Sequence, residues 1–205
     1  MPIKILGIES SCDETSAAII QDNKILSNVI ANQEVHEKYG GVVPELASRA
    51  HQKNIIPVVK LALSNANIEK NQLDAIAYTR GPGLLGSLLV GASFAKSFSM
   101  SLGIPLIEVN HMQAHLLCHF IEDNCKEKTD FPFLGINISG GHTQIVLCYN
   151  YFKMDLIGET LDDSIGEAFD KCGKMMGLNY PAGPIIDKKS KEGNTNKFKF
   201  TIPKV

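Results

Sequence analysis

Two stretches of this chain repeat one pattern, and the repeat restricts the folds open to it. "IKILGIESSCDETSAAIIQDNKILSNVIAN" (3–32) reads as three short strands, with a turn at Ser10 to Glu14 and a tight hairpin at Gln21 to Lys24. From Phe131 the pattern restarts: "FPFLGINIS", a glycine turn, "HTQIVLCYN" and "YFKMDLIGET". Two antiparallel meanders, each opening on an apolar strand, indicate an internal duplication.

Between the meanders the period changes. Pro44 to Ile68 has helical apolar spacing, with Pro44 suited to a first turn and Pro57 marking a kink or break. Leu73 to Thr79 is expected to be a buried strand. After Gly81-Pro82-Gly83 a small-residue helix should run to about Leu102, and Ile104 to Val109 supplies a strand that leads into a histidine-bearing helix. Strand, helix, strand, helix implies parallel pairing through crossovers. The second meander is followed by a helix over Asp163 to Leu178, with Asp162 or Asp163 as its N-cap. The chain then runs through "FKFTIPKV" without completing a second α/β unit.

Charge and cysteine usage exclude some functions. With 20 Lys and Arg against 22 Asp and Glu, no whole-molecule field draws in nucleic acid, although a local patch could serve. The run Lys188 to Lys199 reads as a solvated surface rather than a phosphate patch. Cys12, Cys118, Cys125, Cys148 and Cys172 are odd in number and contain no C-x-x-C pair, which argues against a disulfide framework or a Cys-rich zinc site and fits a reducing, cytosolic compartment. "MPIKILGIES" has no signal-peptide pattern, so it is expected to form the first strand of the mature fold. The apolar stretch Gly83 to Ala95 is too short to span a bilayer before Lys96, and no membrane segment is expected.

Several stretches carry chemistry. "VNHMQAHLLCHF" places His111, His115 and His119 at i, i+4 and i+8, in one stripe of a helix; the spacing suits a divalent ion, although a polar helix face is the commoner meaning of such a pair. "NISGGHTQIV" puts two glycines where backbone N–H groups can converge on an anion, beside Ser139, His142 and Thr143, and it can also be read as an ordinary hairpin turn. "IESSCDET" is the matching turn of the first meander, which makes a nucleotide cleft conceivable. "RGPGLLGS" sets glycines before a helix amino terminus, which favours anions, but it lacks the Walker ending. Asp170 on a helix, followed by Gly183 and Asp187 after a Pro-Ala-Gly-Pro turn, is either solvated charge or a ribose-holding set.

Taken in order, "GIESSCDETSAAI", "NHMQAHLLCHF", "ISGGHTQIV" and "DDSIGEAFDKCGKMMGLNYPAGPIID" resemble the universal tRNA threonylcarbamoyltransferase family, called TsaD in bacteria and formerly O-sialoglycoprotein endopeptidase. The resemblance implies an α/β fold of the actin-like (ASKHA, ribonuclease H-like) type, with a first lobe over 1–110, a metal-site helix and connection over 111–130, and the start of a second lobe over 131–205. It implies transfer of threonylcarbamoyl from threonylcarbamoyl-adenylate to the exocyclic amine of the adenosine 3′ of the anticodon, in tRNAs reading codons that begin with A. By the same resemblance His111 and His115 bind one divalent ion, Fe2+ or possibly Zn2+, and His119 does not. Asn137, Ile138, Ser139, Gly140 and Gly141 cradle the donor, and Asp170, Gly183 and Asp187 hold its adenosine. No residue acts as a covalent catalyst. The implied partners are tRNA, the paralogous subunit TsaB and the ATPase TsaE, in the cytoplasm. The family has a further carboxylate ligand in a C-terminal part that this chain lacks, so the chain is expected to be truncated and inactive alone. A zinc endopeptidase would need a Glu where Met112 stands. A sugar kinase shares the phosphate turns but has no use for the histidine pair. A third reading is a chain that only assembles with partner proteins.

Overall fold

The computed structural model describes residues 2–122 and 129–201; Cys125 and residues 202–205, which close "FKFTIPKV", lie outside them. The first meander consists of β1 (Lys4–Glu9), β2 (Thr15–Gln21) and β3 (Lys24–Ala31). Helix α1 (Pro44–Asn65) leads to β4 (Ala75–Gly81), and α2 (Leu85–Leu102) leads to β5 (Leu106–Asn110). The sheet order is β3-β2-β1-β4-β5, with β1 antiparallel to β2 and parallel to β4, and β4 parallel to β5. A meander carried on by two parallel crossovers is the arrangement expected from the change of period.

Strand alternation decides what each face of this sheet does. Leu6, Ile8, Ala17, Ile19 and Ile76 point to one face, where Ile55, Val58, Val59 and Ala62 of α1 and Ala95 of α2 close the core. Each fully buried Leu or Ile there contributes roughly 1.5–3 kcal/mol. The intervening residues, among them Gly7, Glu9, Ala18, Ala77 and Thr79, line a cavity of about 500 Å3 on the other face.

A second, three-stranded antiparallel sheet, β6-β7-β8, is built from β6 (Phe133–Ile138), β7 (Thr143–Cys148) and β8 (Met154–Glu159). Its buried face is small: Val146 and Cys148 meet Leu116, with Phe131, Phe133 and Met154 at the margin. Phe120, Phe131, Phe133 and Tyr151 extend it as an aromatic cluster, with ring centroids 4.7 to 6.0 Å apart. Leu134, Ile136 and Ile138 point the other way and are exposed. Helices α4 (Ile165–Met175) and α5 (Gly183–Ser190) follow.

The structure corrects four local expectations. Of the two readings of Pro57, a kink or a break, the break does not occur: α1 runs 22 residues through it, with Pro57 on the exposed side, where the carbonyl that loses its partner can reach solvent. The N-cap of α4 is Ser164, whose hydroxyl accepts from the Glu167 N–H at 3.2 Å, while Asp163 binds Lys171 at 2.6 Å. The histidine helix α3 (His111–Leu117) is only seven residues long. Finally, α2 is an 18-residue helix apolar and long enough to cross a membrane by those measures alone. Here it packs against α1 and β4 and buries Ser87, Gly91, Ala95 and Ser99, a small-residue stripe that lets it lie close to its neighbours.

The turn after β1 is held by buried groups from α1 and α2. His51 Nε2 lies 3.0 Å from the Cys12 carbonyl, which can only accept, so that nitrogen carries the proton and Nδ1 accepts from the Thr15 hydroxyl at 2.8 Å. Ser10 donates to the Ser87 carbonyl and Ser87 to the Cys12 carbonyl, while Gly83 and Gly91 leave room that a Cβ would fill against Ser11 and Ser10. Thr15→Val is isosteric but strands the buried His51 Nδ1 without a donor. It should cost about 1–3 kcal/mol in urea unfolding of the 205-residue chain; an unchanged midpoint would mean the His51 bridge contributes nothing.

Candidate functional site

Because β1, β4 and β5 run parallel, their carboxyl ends share one edge of the sheet, the edge where α/β sheets place their ligands. Glu9 ends β1, Thr79 lies beside it on β4, and Asn110 ends β5. Asn110 makes the change from strand to helix abrupt. Its side chain accepts from the N–H of Met112 at 2.9 Å and of Gln113 at 3.1 Å, an N-cap that starts α3 at His111 with no loop between.

His111 and His115 then stand one turn apart, with ring centroids 4.5 Å apart and Nε2 atoms 3.1 Å apart. An ion bound at about 2.0–2.1 Å from each nitrogen separates two neighbouring donor atoms by about 3.0–3.4 Å, so the spacing of the pair is that of two ligands to one ion. Among the described residues no group of three or more His, Cys, Asp or Glu is arranged to hold an ion. His119 lies beyond the end of α3, in a 3-10 turn over Cys118–Phe120, so it does not continue the α-helical stripe that carries the other two.

A residue the motifs did not single out sits behind the pair. Glu9 accepts from His111 Nδ1 at 3.1 Å, from the Ser11 N–H and from the Thr79 hydroxyl. Burial pushes its carboxyl pKa up, but the hydrogen bonds from His111, Ser11 and Thr79 outweigh this and hold it at about 2. Burial lowers the His115 pKa, as does the proximity of the His111 and His142 rings, against the opposing pull of Glu9. An acidic residue closing an otherwise apolar strand, "KILGIE", was the available signal for Glu9.

The glycine turn lies next to this cluster. Asn137 is buried and donates to the Met112 carbonyl at 3.3 Å, which ties β6 to α3. Ser139 and His142 close the turn on themselves: the Ser139 N–H donates to the His142 carbonyl at 2.9 Å and the His142 N–H to the Ser139 hydroxyl at 3.0 Å. The N–H groups of Gly140 and Gly141 are left without a hydrogen bond among the described residues, and a Cβ on either glycine would meet nothing within 4 Å. The first amides of α4 are not free in this way. Ile165 donates to the Thr143 hydroxyl, Gly166 to the Ser139 carbonyl and Glu167 to Ser164. The glycine turn is thus both a self-closed hairpin and an open pair of donors, and the second meander is clamped to α4 through it. Ile138 is exposed at the strand end.

The third expected group is distributed differently. Asp170 accepts from the Ala182 N–H at 2.7 Å and so holds the turn that starts α5 at Gly183. Gly173 packs so tightly on Ala182 that a Cβ there would lie 2.1 Å from the Ala182 methyl. Asp187 is exposed and pairs with Lys191 at 3.3 Å. Asp170 therefore supports the backbone on which Gly183 and Asp187 are presented. The turn after β1 faces this region: Asp13, Asp170 and Cys12 reinforce the effect of burial in raising the Tyr180 pKa to about 12.

Comparison with known proteins follows the same lines. The family described as "TsaD: tRNA N6-adenosine threonylcarbamoyltransferase" matches residues 24–205. The chain is 66% identical over 203 residues to the tRNA N6-adenosine threonylcarbamoyltransferase of Christiangramia forsetii, covering 99% of this chain and 60% of that protein. It is 66% identical over 201 residues to the protein of the same name from Riemerella anatipestifer, covering 98% and 59%. The chain thus spans about 60% of the length of these relatives. Among solved structures, YeaZ from Pseudomonas aeruginosa aligns over 77% of this chain and 67% of its own, with 17% identity and a TM-score of 0.48.

Two expectations follow from the local geometry. A Cβ on Gly166 would lie 2.6 Å from the Ser139 carbonyl oxygen and 2.7 Å from the Gly140 Cα, whereas one on Gly140 meets open space. Gly166→Ala should therefore lower the melting temperature, since the clash is with backbone, while Gly140→Val melts close to the parent; the reverse order would refute this account of the turn. The second concerns Cys12, whose thiol pKa burial and the nearby Asp13 carboxylate raise to about 12, although the residue is exposed. Because the thiolate is the nucleophile, Cys12 should react with iodoacetamide at pH 8 at least about tenfold more slowly than an unstructured cysteine. Asp13→Asn should speed the reaction, as peptide mass spectrometry can measure.

Proposed function

This chain belongs to the tRNA N6-adenosine threonylcarbamoyltransferase family, and from that premise we propose that it carries the metal-binding and donor-binding part of an acyltransferase that modifies tRNA. The observation that carries the reading is the pair of Nε2 atoms 3.1 Å apart, on a helix joined through Asn137 to a turn with two open glycine amides. In the proposed reaction the exocyclic amine of the adenosine 3′ of the anticodon attacks the carbamoyl carbonyl of threonylcarbamoyl-adenylate. The bond from that carbonyl to the adenylate oxygen breaks, and AMP leaves.

The donor is already activated, so the protein's part is to orient the two reactants and receive the charge on the leaving group. The Gly140 and Gly141 amides would bind the adenylate phosphate, with Asn137, Ile138 and Ser139 setting the strand end that presents them. Asp170 would hold the turn from which Gly183 and Asp187 reach the adenosine. His111 and His115 would hold the divalent ion, Fe2+ or Zn2+, which when bound supplies a Lewis acid and a template for the donor. Held by these two histidines alone, such an ion would have room for the donor and for a carboxylate from the part of the relatives that this chain does not span. TsaB and TsaE would assist in the cytoplasm. The endopeptidase reading is disfavoured by Met112, which occupies the place of the general base.

Replacing His111 and His115 together by Ala should abolish stoichiometric metal in elemental analysis, while His119→Ala leaves it intact; unchanged metal in the double variant would refute the site. Nucleosides from tRNA incubated with threonylcarbamoyl-adenylate, TsaB and TsaE should contain threonylcarbamoyladenosine when the chain is extended to the length of its relatives and none when the 205-residue chain is used. Robust product from the short chain would show that the remaining part is dispensable.

A further inference from the structure

We propose that Glu9 is a positioning residue that places the proton of His111 on Nδ1, so that Nε2 offers its lone pair toward His115 before any ion arrives. The inference rests on the metal reading above and concerns how that site is prepared. An ionised carboxylate has no proton to give, so the 3.1 Å contact between Glu9 Oε2 and His111 Nδ1 requires the proton to be on the ring nitrogen. A neutral imidazole protonated at Nδ1 is bare at Nε2. With both rings neutral, that bare nitrogen faces His115 Nε2 at 3.1 Å, which is then the donor of the pair.

The two histidines are therefore unequal. His111 already has the form a metal ligand needs, whereas His115 must move its proton from Nε2 to Nδ1, or release it, before it can bind. Glu9 can impose this form because it is itself fixed. Its Oε1 accepts from the Ser11 N–H in the turn after β1, its Oε2 accepts from Thr79 on β4, and its side chain is only 34% exposed. Ser11 Oγ lies 3.4 Å from the same His111 nitrogen, a longer and weaker contact than that of the carboxylate. A carboxylate behind an imidazole fixes the orientation of a metal ligand and raises its basicity, and losing such a partner typically costs about 10–100-fold in affinity.

The test uses the 205-residue chain labelled with 15N, metal-free and then titrated with Zn2+ or Co2+. In the metal-free parent, long-range 1H–15N correlation spectra should show His111 protonated at Nδ1. Glu9→Gln keeps the shape but brings an amide that can donate to Nδ1, so His111 should shift toward the Nε2-protonated form. Its affinity for the ion should fall about 10–100-fold, while the metal-free melting temperature stays near the parent's. Glu9→Asp, which keeps the charge but withdraws it by one methylene, is run beside it with the same readouts and should shift the tautomer in the same direction. A parental tautomer in both variants overturns the proposal, as does a shifted tautomer with parental affinity. A lower melting temperature with parental tautomer and affinity makes Glu9 a packing residue and also overturns it. Should the parent bind no ion, a tautomer shift in Glu9→Gln still upholds the placement of the proton, and it is the metal reading that fails.

Discussion

The parallel alignment of β1 with β4 and of β4 with β5 is the constraint on which the site depends. It brings three strand ends, distant in sequence, to one edge, where Glu9, Thr79 and the Asn110 cap stand side by side. A shift of one residue in the pairing would turn Glu9 into the core face and Ile8 out of it, because side chains alternate along a strand. That exchange would bury an unpaired carboxylate beside Ile19 and Ile76. The apolar core under α1 and α2 therefore fixes the register, and the register places the polar cluster. The same alternation opens the cavity that the two histidines help to line.

The two meanders are alike in pattern and unlike in support. The first turn, Ser10 to Glu14, is packed from beneath: His51 from α1, Ser87 from α2, and two glycines that admit the backbone at close range. The second turn is held by its own Ser139 and His142 and by the cap of α4, and its glycine amides remain open. Duplication of the pattern thus leaves one turn as an internal fixture and the other as a surface with donors to spare. In the sequence the two turns read as a conceivable phosphate-facing pair. The difference lies in tertiary neighbours, which local spacing does not encode.

The element order was largely legible in the sequence, because the change from period 2 to period 3.6 and back is strong in this chain. Local details were less so. Pro57 reads as a kink or a break in any window of sequence, yet α1 continues through it, its missing hydrogen bond falling on the wet side of the helix. Asp162, Asp163 and Ser164 are all good caps, and only the clamp on the Gly140 carbonyl selects Ser164. The histidine spacing alone runs on to His119, and the change to a 3-10 turn at Cys118, which ends the α-helical stripe before it, has no signal in that spacing. Glu9 was the larger omission. Its role comes from residues about 70 and 100 positions away, and a single carboxylate at a strand end has no motif of its own.

Helix α3 shows how the two sheets come to share one site. Seven residues are too few for a helix to be stable alone, so α3 must draw its stability from its contacts. It has a cap from Asn110 at the end of β5, a side-chain hydrogen bond from Asn137 of β6 to the Met112 carbonyl, and Leu116 buried against Val146 and Cys148. Gly135 is what admits Leu116, since a Cβ there would lie 2.4 Å from the Leu116 methyl. One end of the helix thus belongs to the first sheet and its buried side chain to the second. His111 and His115 are on the polar remainder of its surface, and their spacing is set by the helix while their position is set by both sheets. Any ligand that bridges the histidines and the glycine turn would therefore tighten the same contacts that hold α3 in place.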